Sequence, residues 1–232
     1  MHLVLGMNGG RADGQLWLGG IEASGRVDVL VENGIRQLAP AAGNPPVCRD
    51  SRIHCLGLMD GTGIIRGSYP WHQILAFVRK IADALRAGHK VLISCRNGAH
   101  RSSTLTALVL MFLTGACADS VNAYLKLLRT VVDLESYHPG HRRPVLQRDG
   151  HWRQEAEFSG TPLEWLRSVE KEVHQDGERY LQGFSTTLNQ VVTPRQFFEM
   201  ALGAGYTHLF GVSWMLCSNV LASILVCSSL QL

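Results

Sequence analysis

The sequence lacks most of the features that would assign it to a specialised class of protein. The six cysteines form no CxxC pair and no regular framework, and no basic segment followed by an apolar secretory core opens the chain. We therefore expect a reducing, intracellular compartment and a cytoplasmic location. A net charge of +3 is too small to indicate nucleic-acid binding. No internal repeat or low-complexity tract is found in the sequence.

The composition is that of a soluble globular protein. Of the 232 residues, 46% are hydrophobic and 18% are charged, which is sufficient for a buried core. The 24 glycines indicate many turns rather than long uninterrupted helices. The length accommodates one domain with a substantial extension.

Strand-like and helix-like patterns alternate through the first half of the chain. The predicted strands cover GQLWLGG and residues 35–38, 53–59 and 90–95. One predicted helix ends at Asn33-Gly34, and three others cover residues 71–87, 102–113 and 119–132. The strand KVLISC is nearly all apolar, which is typical of a strand buried on both faces of a parallel sheet. The alternation predicts an α/β fold whose core closes near residue 150.

The C-terminal third contains two helix starts and a long apolar run. TPLE at Thr161 and TPRQ at Thr193 each combine a threonine cap, a proline at the first helical position, and an acid or amide three residues after the cap. The run from Leu209 carries no charged residue and is long enough to cross a bilayer as a helix. Because Asn219 and several serines interrupt it, a buried terminal helix fits this run equally well.

A loop with an unusual concentration of polar chemistry joins the predicted strand 90–95 to the predicted helix 102–113. Backbone N–H groups in such a loop point to one place, and the helix start adds about half a positive charge there. Gly98 allows the amides to turn inward, and the planar guanidinium of Arg101 can hold two phosphoryl oxygens. The residues predicted to bind phosphate are Arg96, Asn97, Gly98, Ala99, His100 and Arg101.

Cys95 stands at the start of this segment, and we call residues 95–101 the cysteine loop. A helix N-terminus and a nearby arginine both favour the thiolate, so Cys95 is predicted to attack phosphorus and form a thiophosphoryl intermediate that water hydrolyses. The bare CxxxxxR spacing is a weak signal, and a buried structural cysteine beside a solvated arginine is the alternative. The strand, the glycine and the helix around the match favour phosphate chemistry.

This reaction also requires an acid, because the leaving oxygen must be protonated as the P–O bond breaks. Asp60, in MDGTG, follows a predicted strand and precedes the helix that leads into KVLISC. An ordinary turn aspartate is the simpler explanation of an Asp-Gly pair. Asp50 is the second candidate and is disfavoured because it precedes the strand.

The segment CRNGAHRS resembles the CxxGxxR(S/T) signature of cysteine-dependent protein phosphatases, in particular the dual-specificity group. LWLGG is similar to the opening strand of that family, NGIRQLA to its next helix-to-strand step, and SSTLTALVLM to the helix after the signature. The resemblance implies a mostly parallel central sheet flanked by helices in a catalytic domain of residues 14–150. Residues 151–232 are expected to form a helical extension with an apolar terminal segment, 209–230.

By this resemblance, the chain hydrolyses phosphotyrosine and phosphoserine or phosphothreonine in proteins through a cysteinyl-phosphate, without a metal or other cofactor. The family's general acid occupies the place of Asp60. A hydroxyl in the place of Ser102 donates to the cysteine sulfur and helps the thiolate to leave, and a helix cap is its other role. The family usually has a histidine where this chain has Ser94, and that histidine orders the loop and lowers the cysteine pKa. A weakly active or inactive phosphate-binding pseudophosphatase is therefore the rival hypothesis.

Two basic residues of the cysteine loop bear on the substrate. Arg96 and His100 suit an acidic phosphopeptide, a phosphoinositide head group or an RNA 5′ phosphate, although solvent-facing positions explain them as simply. His141, Arg142 and Arg143 either extend this positive rim or form a solvated turn. The expected partner is a phosphorylated protein, and a membrane contact would depend on the terminal apolar run.

Overall fold

The computed structural model describes residues 1–7, 14–43, 46–136, 145–146, 152–153 and 160–182. The strands are β1 (His2–Met7), β2 (Gly14–Gly19), β3 (Ile35–Pro40), β4 (His54–Cys55), β5 (Lys90–Ser94), β6 (Val145–Leu146) and β7 (Trp152–Arg153). The helices are α1 (Ile21–Ser24), α2 (Val27–Glu32), α3 (Gly61–Ile65), α4 (Trp71–Arg86), α5 (Arg101–Thr114), α6 (Ala118–Leu128) and α7 (Pro162–Gln182).

Five strands form one sheet in the order β1-β2-β5-β3-β4, with β6 and β7 paired separately. Strands β2, β5, β3 and β4 are parallel, and β1 is antiparallel to β2. The central strand β5 is the most enclosed, since Val91, Leu92 and Ile93 are fully buried between its neighbours and the helices. The predicted α/β class with a mostly parallel sheet is confirmed. Because the parallel strands share a direction, the loops that follow β2, β3 and β5 emerge at one edge of the sheet.

The two long helices of the first half follow the predicted patterns. Helix α4 buries the apolar side chains spaced three and four residues apart and ends beside Gly88, which has a φ of 82°. Helix α5 is buried on nearly all sides, as its uniformly apolar sequence predicts, and ends at Gly115 in the left-handed conformation. Helix α5 therefore lies inside the core of the described part of the chain.

Two predicted boundaries are wrong. The strand expected over residues 53–59 is reduced to His54–Cys55, because Gly57 adopts a φ of 126° and breaks the extended conformation. The helix expected over residues 119–132 ends at Leu128, because Arg129 is extended, with a φ of −147° and a ψ of 100°.

Two segments outside the predicted range of 14–150 contribute to the same core. Strand β1 adds an edge to the sheet, and α7 packs along α5 with Leu166 and Val173 buried. The predicted start of α7 is confirmed, since Thr161 and Glu164 satisfy each other's backbone N–H groups as a capping box. The division at residue 150 stays a prediction.

Several predictions fall outside the described residues. They concern the helix start at Thr193, the apolar run from Leu209, and the basic group His141, Arg142 and Arg143. Among the helices that the structure describes, none combines the length and the apolar character needed to cross a membrane.

Candidate active site

The cysteine loop lies between the buried strand β5 and the first turn of the buried helix α5. Cys95 and Gly98 are buried, whereas Arg96 and Asn97 are exposed. The loop turns on Gly98, whose φ is 70°, a conformation that disfavours other residues. A Cβ at this position would lie 2.8 Å from the carbonyl oxygen of Gly19, so the end of β2 packs directly against the loop. The sequence prediction of a glycine-dependent turn matches this geometry.

The sulfur of Cys95 accepts hydrogen bonds from the loop and from the helix that follows it. The backbone N–H of Gly98 donates at 3.2 Å, and the hydroxyl of Ser102 donates at 3.1 Å. Burial raises the pKa of the Cys95 thiol, but the hydroxyl of Ser102 and the amides of Ser102, Gly98 and Asn97 outweigh burial and set the pKa below its usual value. The arrangement therefore favours a thiolate in a site that excludes much of the solvent.

Arg101 is the first residue of α5 and is half-buried. Among the described residues, none forms a hydrogen bond or ion pair with its guanidinium. The side chain is thus available to an anion held at the start of the helix, where the backbone dipole also attracts negative charge. This is the position predicted for the phosphate-binding arginine.

Asp60 is the N-cap of α3, and its neighbour in the sequence, Gly61, contacts Arg101 at the end of the cysteine loop. Its carboxylate accepts from the N–H of Thr62 at 3.2 Å, and its own N–H donates to the hydroxyl of Tyr69 at 3.4 Å. A Cβ on Gly61 would lie 2.5 Å from the carbonyl oxygen of Arg101. The structure therefore brings the segment of Asp60 against the start of α5, although the two are distant in sequence.

Asp50, the second candidate acid, is engaged elsewhere. Both of its carboxylate oxygens accept hydrogen bonds from the guanidinium of Arg52, each at 3.0 Å. These bonds hold the pKa of Asp50 below its usual value, which keeps the carboxyl group ionised and unsuited to donate a proton. Asp60, whose neighbour Gly61 contacts Arg101, is the candidate acid that lies next to the cysteine loop.

His100 lies at the rim of the loop and faces a carboxylate. Its Nε2 is 3.9 Å from Oδ2 of Asp133, and the backbone N–H of Asp133 donates to the carbonyl of Ala99 at 3.0 Å. Burial lowers the pKa of His100 and Arg101 lowers it further, while Asp133 opposes the shift. Burial and Arg101 therefore disfavour the protonated form of His100, and the nearby carboxylate of Asp133 favours it.

Sequence analysis missed Arg129, which contacts the loop from the end of α6. Its Nη2 donates to the carbonyl of Asn97 at 2.8 Å, and its Nε donates to the carbonyl of Gly98 at 3.3 Å. The hydroxyl of Ser103 donates to the same carbonyl of Gly98 at 3.2 Å. No spacing rule in the sequence links Arg129 to the loop, because α5 and α6 intervene.

Ser94, the residue before Cys95, is 2% exposed at the end of β5. Its carbonyl accepts from the N–H of Ala41 at 2.7 Å, which continues the pairing of β5 with β3. The position is therefore fixed in the sheet. Within the residues described, no cluster of three or more histidine, cysteine, aspartate or glutamate side chains is arranged to hold a metal ion.

No family model matches the chain, and no curated protein matches it. The crystal structure of DUSP15 has a TM-score of 0.52 at 15% identity, covering 77% of this chain and 96% of its own. That of human DUSP28 has a TM-score of 0.46 at 16% identity, covering 72% and 94%. The Yvh1 phosphatase domain from Chaetomium thermophilum has a TM-score of 0.48 at 13% identity, covering 76% and 99%. At these identities the likeness to DUSP15 is a likeness of fold.

Proposed function

We propose that this chain, which has the fold of the dual-specificity phosphatases, is a cysteine-dependent phosphatase of phosphorylated proteins. The observation that carries the proposal is the convergence of hydrogen-bond donors on the buried sulfur of Cys95 at the N-terminus of α5. A thiolate in that position faces the place where the loop amides and Arg101 would hold a phosphoryl group. The proposed location of the protein is the cytoplasm.

In the first step, the sulfur of Cys95 attacks phosphorus and the P–O bond to the substrate breaks. Asp60 gives its proton to the leaving oxygen, so the product departs as a neutral hydroxyl. Arg101 and the amides of the cysteine loop stabilise the charge on the equatorial oxygens during the transfer. The product of this step is a cysteinyl-phosphate.

In the second step, water attacks phosphorus and the S–P bond breaks. The carboxylate of Asp60 accepts a proton from the water, and phosphate is released. The hydroxyl of Ser102, which donates to the sulfur at 3.1 Å, stabilises the departing thiolate. No metal takes part in either step of this proposal.

The test is hydrolysis of an aryl phosphate and of phosphotyrosine and phosphothreonine peptides by the purified full chain in the presence of a chelator. We expect turnover that vanadate blocks and that Cys95→Ser abolishes. Cys117→Ser is the control, because Cys117 contacts Ser120 on α6 rather than the loop. Activity that persists unchanged in Cys95→Ser contradicts the proposal. Rates on a phosphoinositide and on an RNA 5′ phosphate then rank these substrates against the peptides.

The second candidate is a phosphate-binding pseudophosphatase, and the observation that favours it is Ser94. The family that the chain resembles usually has a histidine at this position. A serine side chain is shorter than a histidine side chain, so the loop loses one stabilising contact. This candidate predicts that the wild-type chain binds a phosphopeptide without turnover at any pH. It also predicts that Ser94→His gains hydrolysis.

A further inference from the structure

Arg129 makes an unusual set of contacts for an arginine that sequence analysis does not single out. Two nitrogens of one guanidinium edge, Nε and Nη2, donate to the carbonyls of Gly98 and Asn97, which are consecutive in the cysteine loop. The planar, rigid arrangement of these two donors suits a pair of neighbouring acceptors, whereas a lysine offers a single nitrogen. The residue is half-buried, so solvent screens these bonds only in part.

The carbonyls that Arg129 holds belong to the peptide units that build the anion cradle. The carbonyl of Asn97 shares a planar trans peptide with the N–H of Gly98, and this N–H donates to the sulfur of Cys95 at 3.2 Å. In a trans peptide the carbonyl and the N–H point in opposite directions. A donor that holds the carbonyl on one side therefore also fixes the direction of the N–H on the other side.

We propose that Arg129 is a positioning residue that holds the cysteine loop in its anion-binding conformation by fixing the carbonyls of Asn97 and Gly98. The proposal rests on the proposed function, in which the loop amides receive a phosphoryl group and stabilise the Cys95 thiolate. The guanidinium also polarises the two peptide units, because its positive charge lies at their carbonyl ends. Ser103 assists at Gly98 only, since its hydroxyl reaches that carbonyl alone within the loop.

The remaining edge of Arg129 is held by the first strand of the sheet. Its Nη1 lies 3.1 Å from Nδ1 of His2. An arginine cannot accept a hydrogen bond, so Nδ1 of His2 must be the acceptor and the imidazole is neutral in this contact. Burial, Arg129 and the amino group of Met1 lower the pKa of His2, which agrees with that assignment. Strand β1 thus supports the cysteine loop through Arg129.

This role of Arg129 explains how the loop stays ordered with Ser94 in place of the histidine. In the resembling family a histidine before the nucleophile orders the loop, and here that position is a serine in the sheet. Arg129 orders the loop from outside, through two hydrogen bonds to the loop backbone. The loop amides can then keep their inward direction without the histidine.

The experiment measures the pH dependence of Cys95 alkylation by iodoacetamide, followed by mass spectrometry of the Cys95 peptide. Wild type, Arg129→Met and Arg129→Lys are compared in the full chain. We expect both variants to raise the apparent pKa of Cys95 by about one unit. Lysine keeps the charge but cannot hold both carbonyls. The matched control is Arg167→Met, because Arg167 donates from Nε and Nη2 to Asp119 on the surface of α6 and α7. This control should leave the alkylation profile unchanged.

An unchanged alkylation profile in both Arg129 variants overturns the proposal. A shift in Arg129→Met that Arg129→Lys fully reverses also overturns it, because charge alone would then suffice. Should Arg129→Met fail to fold, the Arg129→Lys variant decides. Alkylation needs no substrate, so a wild-type chain without turnover would defeat the proposed function and leave this test intact.

Discussion

Asp60 has a structural role as a helix cap and a proposed role as an acid, and a single substitution can separate the two. Its carboxylate caps α3 by accepting from the N–H of Thr62, and in the proposed mechanism the same group carries the proton for the leaving oxygen. Asparagine caps a helix about as well as aspartate does, but it has no carboxyl proton to give. Replacement by asparagine therefore removes the acid and preserves the turn.

We expect Asp60→Asn to reduce kcat on phosphoserine and phosphothreonine peptides by about 100-fold or more, the usual effect of losing a general acid. An activated aryl phosphate should be affected less, because its leaving group needs little protonation. Asp50→Asn is the control and should retain its rate, since Arg52 already occupies both of its oxygens. Equal losses on the two kinds of substrate would argue against Asp60 as the acid.

At the scale of elements, the cysteine loop is supported by glycine contacts from two neighbouring segments. The end of β2 touches it at Gly98, and the start of α3 touches the first turn of α5 at Gly61. At both contacts backbone meets backbone, so a side chain would force one element away from the other. The position of Asp60 relative to Cys95 therefore depends on Gly61, which carries no functional group.

Gly61→Ala tests this dependence. The new Cβ would lie 2.5 Å from the carbonyl oxygen of Arg101, so α3 or the cysteine loop must move. We expect kcat/KM to fall by about 100-fold, the typical cost of a displacement near 1 Å at a reacting centre. In the matched control, Gly6→Ala, the added Cβ meets no atom within 4 Å, and kcat/KM should be unchanged. Wild-type kcat/KM in Gly61→Ala would contradict the close contact.

At the scale of the whole molecule, α7 packs against α5 and adds buried apolar side chains to the core. Gly177 allows the two helices to approach closely, since a Cβ there would lie 2.2 Å from the carbonyl oxygen of Phe112. Tyr180 packs its ring 5.1 Å from that of Phe112 and donates to Asp83 of α4 at 2.6 Å. Burial, followed by the bond to Asp83, raises the pKa of Tyr180. Helix α7 is thereby bound to both α5 and α4.

We expect Gly177→Ala to lower the stability of the protein, whereas the same substitution in an exposed helix raises it. In an exposed helix, alanine is more stable than glycine by about 1 kcal/mol. Here the contact with the carbonyl of Phe112 should reverse the sign and destabilise the protein by about 1–3 kcal/mol. Thermal unfolding should show a lower Tm, whereas Glu178→Ala on the exposed face should change stability by less than about 0.5 kcal/mol. A higher Tm for Gly177→Ala would rule out the close packing of α5 and α7.

Predictions from sequence succeeded where a pattern is local. The spacing of apolar residues placed α4 and β5, and the order of strand, glycine loop and helix identified the cysteine loop. The strand over 53–59 failed because its residues look extended, while the positive φ of Gly57 is visible only in the structure. The contribution of Arg129 was missed because it acts on a backbone more than thirty positions away, at Asn97.

The sequence by itself determined which chemical groups lie together at the candidate site, because Cys95, Gly98, Arg101 and Ser102 lie in one loop and the first turn of the helix after it. Because these residues are close in sequence, the local loop and helix start are enough to bring them together. Tertiary structure alone decided what surrounds them. Gly61 places Asp60 beside the loop, Arg129 fixes its carbonyls, and α7 covers α5. These contacts join segments that are distant along the chain, and only the packing of the sheet and helices brings such segments together.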